Sequence, residues 1–256
     1  IFEGVTLGTP VALLVRNTDA RPEDYDALRD VYRPGHADFV WQQKYGVRDH
    51  RGGGRASGRE TVGRVAAGAL ARIALGTIGV SLHGATVQVG GVVAAWRDWD
   101  EAGRNPVRCP DAAAAPGMIA AIEAARADHD SIGGVVEVVA RGVPVGWGDP
   151  VMDRLDARLG AALLSIPAVK GVEIGDGFAL AGRRGSETND VLEQGRHLSN
   201  HAGGIVGGIS NGAELVVRAA VRAPSSIGRE QTAATAAGGT TPLRLGGRHD
   251  PCICPR

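Results

Sequence analysis

Aromatic residues make up only 4% of this 256-residue chain, so its interior has to be built from Ala, Val, Leu and Ile packed in number. Lysine is nearly absent: of 28 basic residues only Lys44 and Lys170 are lysines. Such an arginine bias suits bidentate recognition of carboxylates and phosphates, although the base composition of a genome produces it equally well. Net charge is also missing, with 28 basic against 28 acidic residues. That balance excludes a general binder of nucleic acid or anionic membrane, which needs a cationic excess along the whole sequence, and leaves any positive field local. Three cysteines, Cys109, Cys252 and Cys254, form no disulfide framework, and their odd number fits a reducing compartment. No apolar run approaches the roughly 18–20 residues that would span a bilayer. The Gly-Lys-Ser/Thr of a P-loop is lacking, as are a buried strand leading into a dinucleotide fingerprint and a Gly-x-Ser-x-Gly nucleophile elbow.

What is present is a 43% hydrophobic content, enough for a substantial core, and one unusual stretch, RGGGRASGRETVGRVAAGAL at 51–70. Gly52, Gly53 and Gly54 supply backbone that can turn sharply and offer its N–H groups. Ser57 with Glu60 is a capping-box pattern, and Val62, Val65, Ala66, Ala69 and Ile73 recur on one helical face until Gly76 ends the helix. A glycine loop entering a helix is an anion site by geometry and dipole, and Arg51, Arg55 and Arg59 add fixed charge. A mobile surface loop with solvated arginines fits the same residues, and the local pattern leaves the two readings open.

Along the rest of the chain, Gly4–Val15 reads as two short strands about Gly8-Thr9-Pro10, with Val11–Val15 buried. Glu23–Val31 reads as a short helix stopped by Pro34-Gly35. Ile78–Val89 alternates as a half-buried strand with Val80, Leu82, Val87 and Val89 facing the core, and His83 reads as structural. Helices are expected over Pro116–Asp128 and Val151–Leu164, and strands over Val135–Val139, Val172–Ile174, Ile205–Ile209 and Glu214–Val221. Residues 231–242, QTAATAAGGTTP, read as a flexible connection. Interleaved strands and helices without a repeat or a strong linker predict one α+β or α/β layered domain.

His36 follows a Pro-Gly turn, where a histidine is ordinarily a polar loop residue, and Arg33 and Asp38 read as its solvated neighbours. His197 and His201 have the i, i+4 spacing of a metal pair but no third ligand in register, so no metal site is expected. Cys252 and Cys254 have the wrong spacing for a redox Cys-x-x-Cys pair and read as buried or incidental.

The block at 51–70 closely resembles the central signature of chorismate synthases. RPGHADFVWQQKYG at 33–46, SNHAGGIVGGISNG at 199–212 and GRHDPC at 247–252 agree with the family in the same order, as do linking segments such as CPD, DSIGG and AVKGVEIGDGF. The resemblance covers essentially the whole chain. It implies an α+β fold, a layered β-α-β sandwich with helices packed between antiparallel sheets. It implies elimination of phosphate and a C6 proton from 5-enolpyruvylshikimate 3-phosphate to give chorismate, on reduced FMN without net redox change. The family's Gly-Glu-Ser-His segment is not found, so residues 1–256 read as an interior piece of a single domain, incomplete at both ends and expected to be inert alone. A non-catalytic fragment that binds a phosphorylated ligand or flavin is the alternative.

By the same resemblance His36 is the acid beside the reduced flavin, and Asp250 helps the substrate proton to be accepted there. Arg33, Arg59 and Arg248 clamp the anionic substrate. Flavin contacts map to Arg55, Ala56, Ser57, Ala168, Gly207, the turn Arg222-Ala223-Pro224-Ser225-Ser226, and Arg248. Two departures stand out: Ala56 replaces the second residue of Arg-Ser-Ser, and Lys-Pro-Thr-Ser-Ser has become Arg222–Ser226 with its proline shifted. The family also implies a cytoplasmic homotetramer in a pathway to aromatic amino acids, a link to NADPH, and an external source of reduced flavin, with no nucleic-acid or membrane partner.

Overall fold

A computed structural model describes residues 1–19, 21–51, 57–246 and 249–255. After a 3-10 turn at Pro22–Leu28 come β1 (Val31–Tyr32), α1 (Asp38–Tyr45), α2 (Thr61–Gly76), β2 (Ser81–Val89) and β3 (Val92–Val93). Then follow α3 (Ala115–Ala127), β4 (Gly134–Arg141), α4 (Leu155–Leu164) and β5 (Val169–Ile174). A short helix α5 (Gly185–Thr188) leads to two small hairpins, β6 (Leu192–Glu193) with β7 (Arg196–His197), and β8 (Ile205–Val206) with β9 (Ile209–Ser210). The last elements are β10 (Leu215–Val221), β11 (Gln231–Thr235) and β12 (Thr240–Leu243).

The frame is a five-stranded antiparallel sheet in the order β3-β2-β4-β10-β5, and β1, β11 and β12 make a second, three-stranded antiparallel sheet. β4 reads GVVEVVAR, and its β-branched residues fill both faces of a central strand. On one face Val136, Ala140, Leu215 and Val221 meet residues of the helices in two apolar clusters, the first around Met118 and Ile122 of α3, the second around Leu155 and Leu159 of α4. On the other face Arg218 stands in register between Glu137 and Glu173, bonding their carboxylates at 3.0 Å each, while Arg97 reaches Glu137 at 2.7 Å. Cys109, Cys252 and Cys254 are free thiols buried in the first cluster, as expected of incidental cysteines. Among the described residues no helix is long and apolar enough to cross a membrane.

Helices and antiparallel sheets bear out the α+β expectation, and most predicted elements lie within a few residues of their observed ends. Several expectations are corrected. Gly4–Val15 forms no strand: a bridge between Phe2 and Val5 is its only pairing among the described residues, and Val11, Leu13, Leu14 and Val15 are exposed. A segment without a ladder partner has no hydrogen bonds to hold it as a strand. Glu23–Val31 is a 3-10 turn followed by β1. The second long helix starts at Leu155, four residues later than Val151. Ile205–Ile209 is a hairpin, because Gly207 and Gly208 both take positive φ and reverse the chain. Residues 231–242 are the hairpin β11–β12, whose small residues gain a partner in β1 that local composition does not reveal. The apolar stripe of α2 exists but is open, with Val62, Val65 and Ile73 at 48, 71 and 69% exposure, and Leu75 alone of its long side chains packing into a core cluster.

Candidate active site

The tip of β1 turns through Arg33-Pro34-Gly35-His36, closed by the His36 N–H donating to the Arg33 carbonyl at 3.2 Å. Proline presets the first corner and Gly35, at φ 67°, supplies the second, the pattern of a type II turn. Glycine is favoured there by that φ, and a Cβ would also press on the end of a neighbouring side chain. A Cβ at Gly35 would sit 2.8 Å from Nη2 of Arg222 and 3.3 Å from Cβ of Ser225. The Gly35 carbonyl also accepts a hydrogen bond from Nη1 of Arg222 at 3.0 Å. Two stretches separated by some 187 residues, the histidine turn and the Arg222–Ser226 turn, are thus in contact.

The same corner gathers further candidates. The Arg222 N–H donates to the carbonyl of Ala168 at 2.9 Å, and Ala168 adopts φ 71°, an uncommon conformation for a residue with a Cβ. Ser131 donates its hydroxyl to the Pro224 carbonyl at 2.6 Å. The next residue, Ile132, donates its N–H to the carbonyl of Pro251 at 2.7 Å, which brings the chain at Asp250 to this end of the sheet. From the other side, Arg64 near the start of α2 reaches Oγ and the carbonyl of Ser165 at 3.0 and 3.1 Å, three residues before Ala168.

Ser57 starts α2 through one 3-10 turn, its Oγ accepting the Arg59 N–H at 3.3 Å. Only half of the expected capping box forms, because Glu60 turns outward to Nε of Arg64 at 2.9 Å. Ser57→Ala is accordingly expected to cost about 0.5–1 kcal/mol, the low end for an N-cap, measurable by urea denaturation. Arg59 points Nη2 at the Tyr25 hydroxyl, 3.3 Å away.

The most buried part of the site lies under His36. Arg33 is 8% exposed and Asp38, at the N-terminus of α1, 3% exposed. Nε and Nη2 of Arg33 donate to the two Asp38 oxygens at 2.8 and 3.1 Å, a fork-on-fork pair. His36 Nδ1 lies 3.0 Å from Asp38 Oδ1, and Arg48 Nη1 lies 3.5 Å from the same oxygen. Burial by itself raises the pKa of Asp38, but the hydrogen bonds from His36 and Arg33 and their charges overcome it and hold the carboxyl well below the usual carboxylate range. Arg33 and Asp38 are therefore buried partners of His36 and of each other, where the spacing suggested solvated neighbours.

Of the candidates, His36, Ala168, Arg222, Ala223, Pro224, Ser225 and Ser226 are drawn together by these contacts, Asp250 adjoins them through Pro251, and α2, which Ser57 precedes, reaches toward Ala168 through Arg64 and Ser165. Arg33 belongs to the cluster with most of its fork already taken by Asp38. Gly207 does not join it. Its hairpin is bonded to the N-terminal end of α4 (Leu155 N–H to Gly208 carbonyl, 2.8 Å), whereas Ala168 follows the other end. A ten-residue helix makes that separation about 15 Å. A cavity of about 520 Å³ lined by Trp147, Asp149, Asp153, Leu155, Arg158 and Leu159 lies at the Gly207 end and contains none of the described candidates. Arg55, Ala56 and Arg248, like Gly52–Gly54, lie outside the described residues. His197 is in strand β7 and His201 in a turn, its Nδ1 2.7 Å from Asp176 Oδ2, so their spacing does not put them on one helical face. Asp38, Arg48, Arg64 and Ser131 were not legible as site residues, since each acts through a partner distant in sequence or fold.

Comparison with known proteins accords with this geometry. A family model described as chorismate synthase matches residues 1–256. Chorismate synthases of Chloroflexus aggregans and Paramagnetospirillum magneticum are 52 and 53% identical over 261 and 265 residues, covering all of this chain and 72 and 73% of theirs. That of Methanosarcina acetivorans is 50% identical over 265 residues, covering all of this chain and 73% of its own. A solved structure titled "Crystal Structure of Chorismate Synthase" superposes with a TM-score of 0.67 at 33% identity, over 73% of this chain and 63% of that one. With a full-length family match, relatives near half identity and a shared fold, the chain belongs to the chorismate synthase family, lyases of the shikimate pathway.

Proposed function

We propose that the protein bearing this chain eliminates phosphate and a C6 proton from 5-enolpyruvylshikimate 3-phosphate to form chorismate, with reduced FMN as cofactor. The observation that carries the reading is the convergence of the histidine turn, the Arg222–Ser226 turn, Ala168 and the start of α2 on one corner, next to the chain at Asp250. That corner suits a flavin nucleotide by its charge and donors: the Arg222 guanidinium, the Ser225 and Ser226 hydroxyls, and the positive dipole end of α2.

Bound there in its reduced form, FMN would supply electron density to a reaction without net redox change. Ser57, Ala168 and Arg222–Ser226 would hold it, with Arg55, Ala56 and Arg248 contributing by resemblance. Arg59, Arg248 and the Nη1 edge of Arg33, unpaired among the described residues, neutralise the substrate's carboxylates and phosphate and stabilise charge on the departing phosphate. His36 holds a proton at its ring, and Asp250 moves one at its carboxylate oxygens. Gly207, remote from this corner within the chain, has only the resemblance behind it. A single domain, a homotetramer, a cytoplasmic location, a link to NADPH and an external supply of reduced flavin belong to the same proposal.

The test is an anaerobic assay of the intact protein with substrate and reduced FMN, oxidised FMN or none. Chorismate is expected only in the first. Equal turnover in all three would remove FMN from the mechanism, and no turnover in any would favour the non-catalytic alternative.

A further inference from the structure

Among the described residues, His36 Nδ1 has two close polar neighbours, Asp38 Oδ1 at 3.0 Å and Arg33 Nη2 at 3.2 Å. They make opposite demands. A guanidinium nitrogen can only donate, so Arg33 would need Nδ1 as a bare acceptor, whereas a carboxylate oxygen can only accept and needs Nδ1–H. Arg33 Nη2 already has an acceptor in Asp38 Oδ1 at 3.1 Å, and Arg33 Nε has Asp38 Oδ2 at 2.8 Å. A bare Nδ1 would face the Asp38 oxygen lone pair to lone pair. The arrangement that satisfies every group puts the proton on Nδ1 and directs it to Asp38.

We propose that Asp38 is a positioning residue for this reaction, holding His36 as the Nδ1–H tautomer so that Nε2 is the ring nitrogen offered to the reactants. The inference rests on the reading of His36 as the acid of the site. Asp38 can impose the tautomer because it is itself immobilised. It is 3% exposed, gripped by the Arg33 fork, and backed by Arg48 at 3.5 Å. Arg48 is fixed in turn by donating Nη2 to the carbonyls of Leu28, Arg29 and Val31 at 2.6, 2.8 and 3.1 Å and by stacking over Tyr32, 5.3 Å from the ring centroid. The charged groups that face His36 are Arg33 from its own turn, Asp38 from α1, Arg48 beyond α1, and Arg222 across Gly35. Among the described residues, one anion stands among three cations. Without the Asp38 charge the preference for Nδ1–H weakens, and Arg33, which can only donate, draws the ring toward the opposite tautomer.

The experiment labels the histidines of the intact protein with 15N and reads the tautomer from long-range 1H–15N correlations at alkaline pH, where imidazole is neutral. The His36 signal is the one missing from the His36→Gln protein. The wild type is expected to show Nδ1–H. Asp38→Asn keeps shape but loses charge. It is expected to show Nε2–H and to lose at least about tenfold in kcat with KM within about twofold, as when the outer partner of a functional histidine is removed, and Asp38→Glu is expected to regain part of that loss. An Nε2–H signal in the wild type overturns the proposal, and so does an Asp38→Asn enzyme with the wild-type tautomer and kcat. Should Asp38→Asn fail to fold, the wild-type tautomer alone decides. Full activity in His36→Gln would overturn the acid reading of His36. Loss of activity there with an unaffected Asp38→Asn would overturn only the role of Asp38.

Discussion

Asp250→Asn is expected to lower kcat by about 10²–10⁴-fold, the usual worth of a positioned proton acceptor, with KM changed by no more than about threefold. Asparagine keeps the shape and the hydrogen-bonding oxygen but cannot take up a proton near neutral pH. The defect therefore falls on the step in which C6 loses its proton, and the ground-state complex is spared. Steady-state kinetics on intact protein with saturating reduced FMN measure it. A raised KM with an unchanged kcat would make Asp250 a binding residue and leave the elimination without a carboxylate base at this position.

Arg33→Met is expected to destabilise the fold by about 3–5 kcal/mol, the cost of breaking a buried ion pair from one side. Methionine fills much of the volume, but Asp38 stays 3% exposed with its fork partner gone, leaving Arg48 at 3.5 Å and His36 at 3.0 Å to meet its charge. The pH dependence follows from the same pair. Because folding depresses the Asp38 pKa, its stabilisation is complete above the unfolded carboxylate value near 4 and is lost as pH falls from about 4 toward the folded value. Urea midpoints should decline for the wild type below about pH 4 and more shallowly for Arg33→Met, whose Asp38 lies nearer its ordinary value. A variant of unchanged stability with a raised KM would return Arg33 to the role of an open substrate clamp.

The local character of most elements was legible in residues. The helix α2 follows from a capping serine ahead of it and from apolar spacing, though Gly79, at φ 82°, and not Gly76 closes it, and β4 follows from a run of valines that suits a pleated surface. The reversal inside 205–210 and the hairpin at 231–243 were illegible, since glycines and small residues carry little preference of their own and 231–243 becomes strand only when a partner strand lies alongside. The α2 stripe shows the converse: periodicity reveals a face, not what covers it.

The site divides along the same line. Residue order alone, through four ordered motifs, determined the family and named His36, Arg222–Ser226 and Asp250 as its candidates, because such motifs are read from chemical identity and spacing. Only the tertiary structure decided that Arg33 and Asp38 are a buried pair beneath His36, that Arg222 closes on Gly35, and that Gly207 stands apart at the far end of α4. Burial, ion pairing and hydrogen bonding depend on which segments the sheet brings side by side. Two residues 187 positions apart carry no trace in the sequence of the 3.0 Å contact between them.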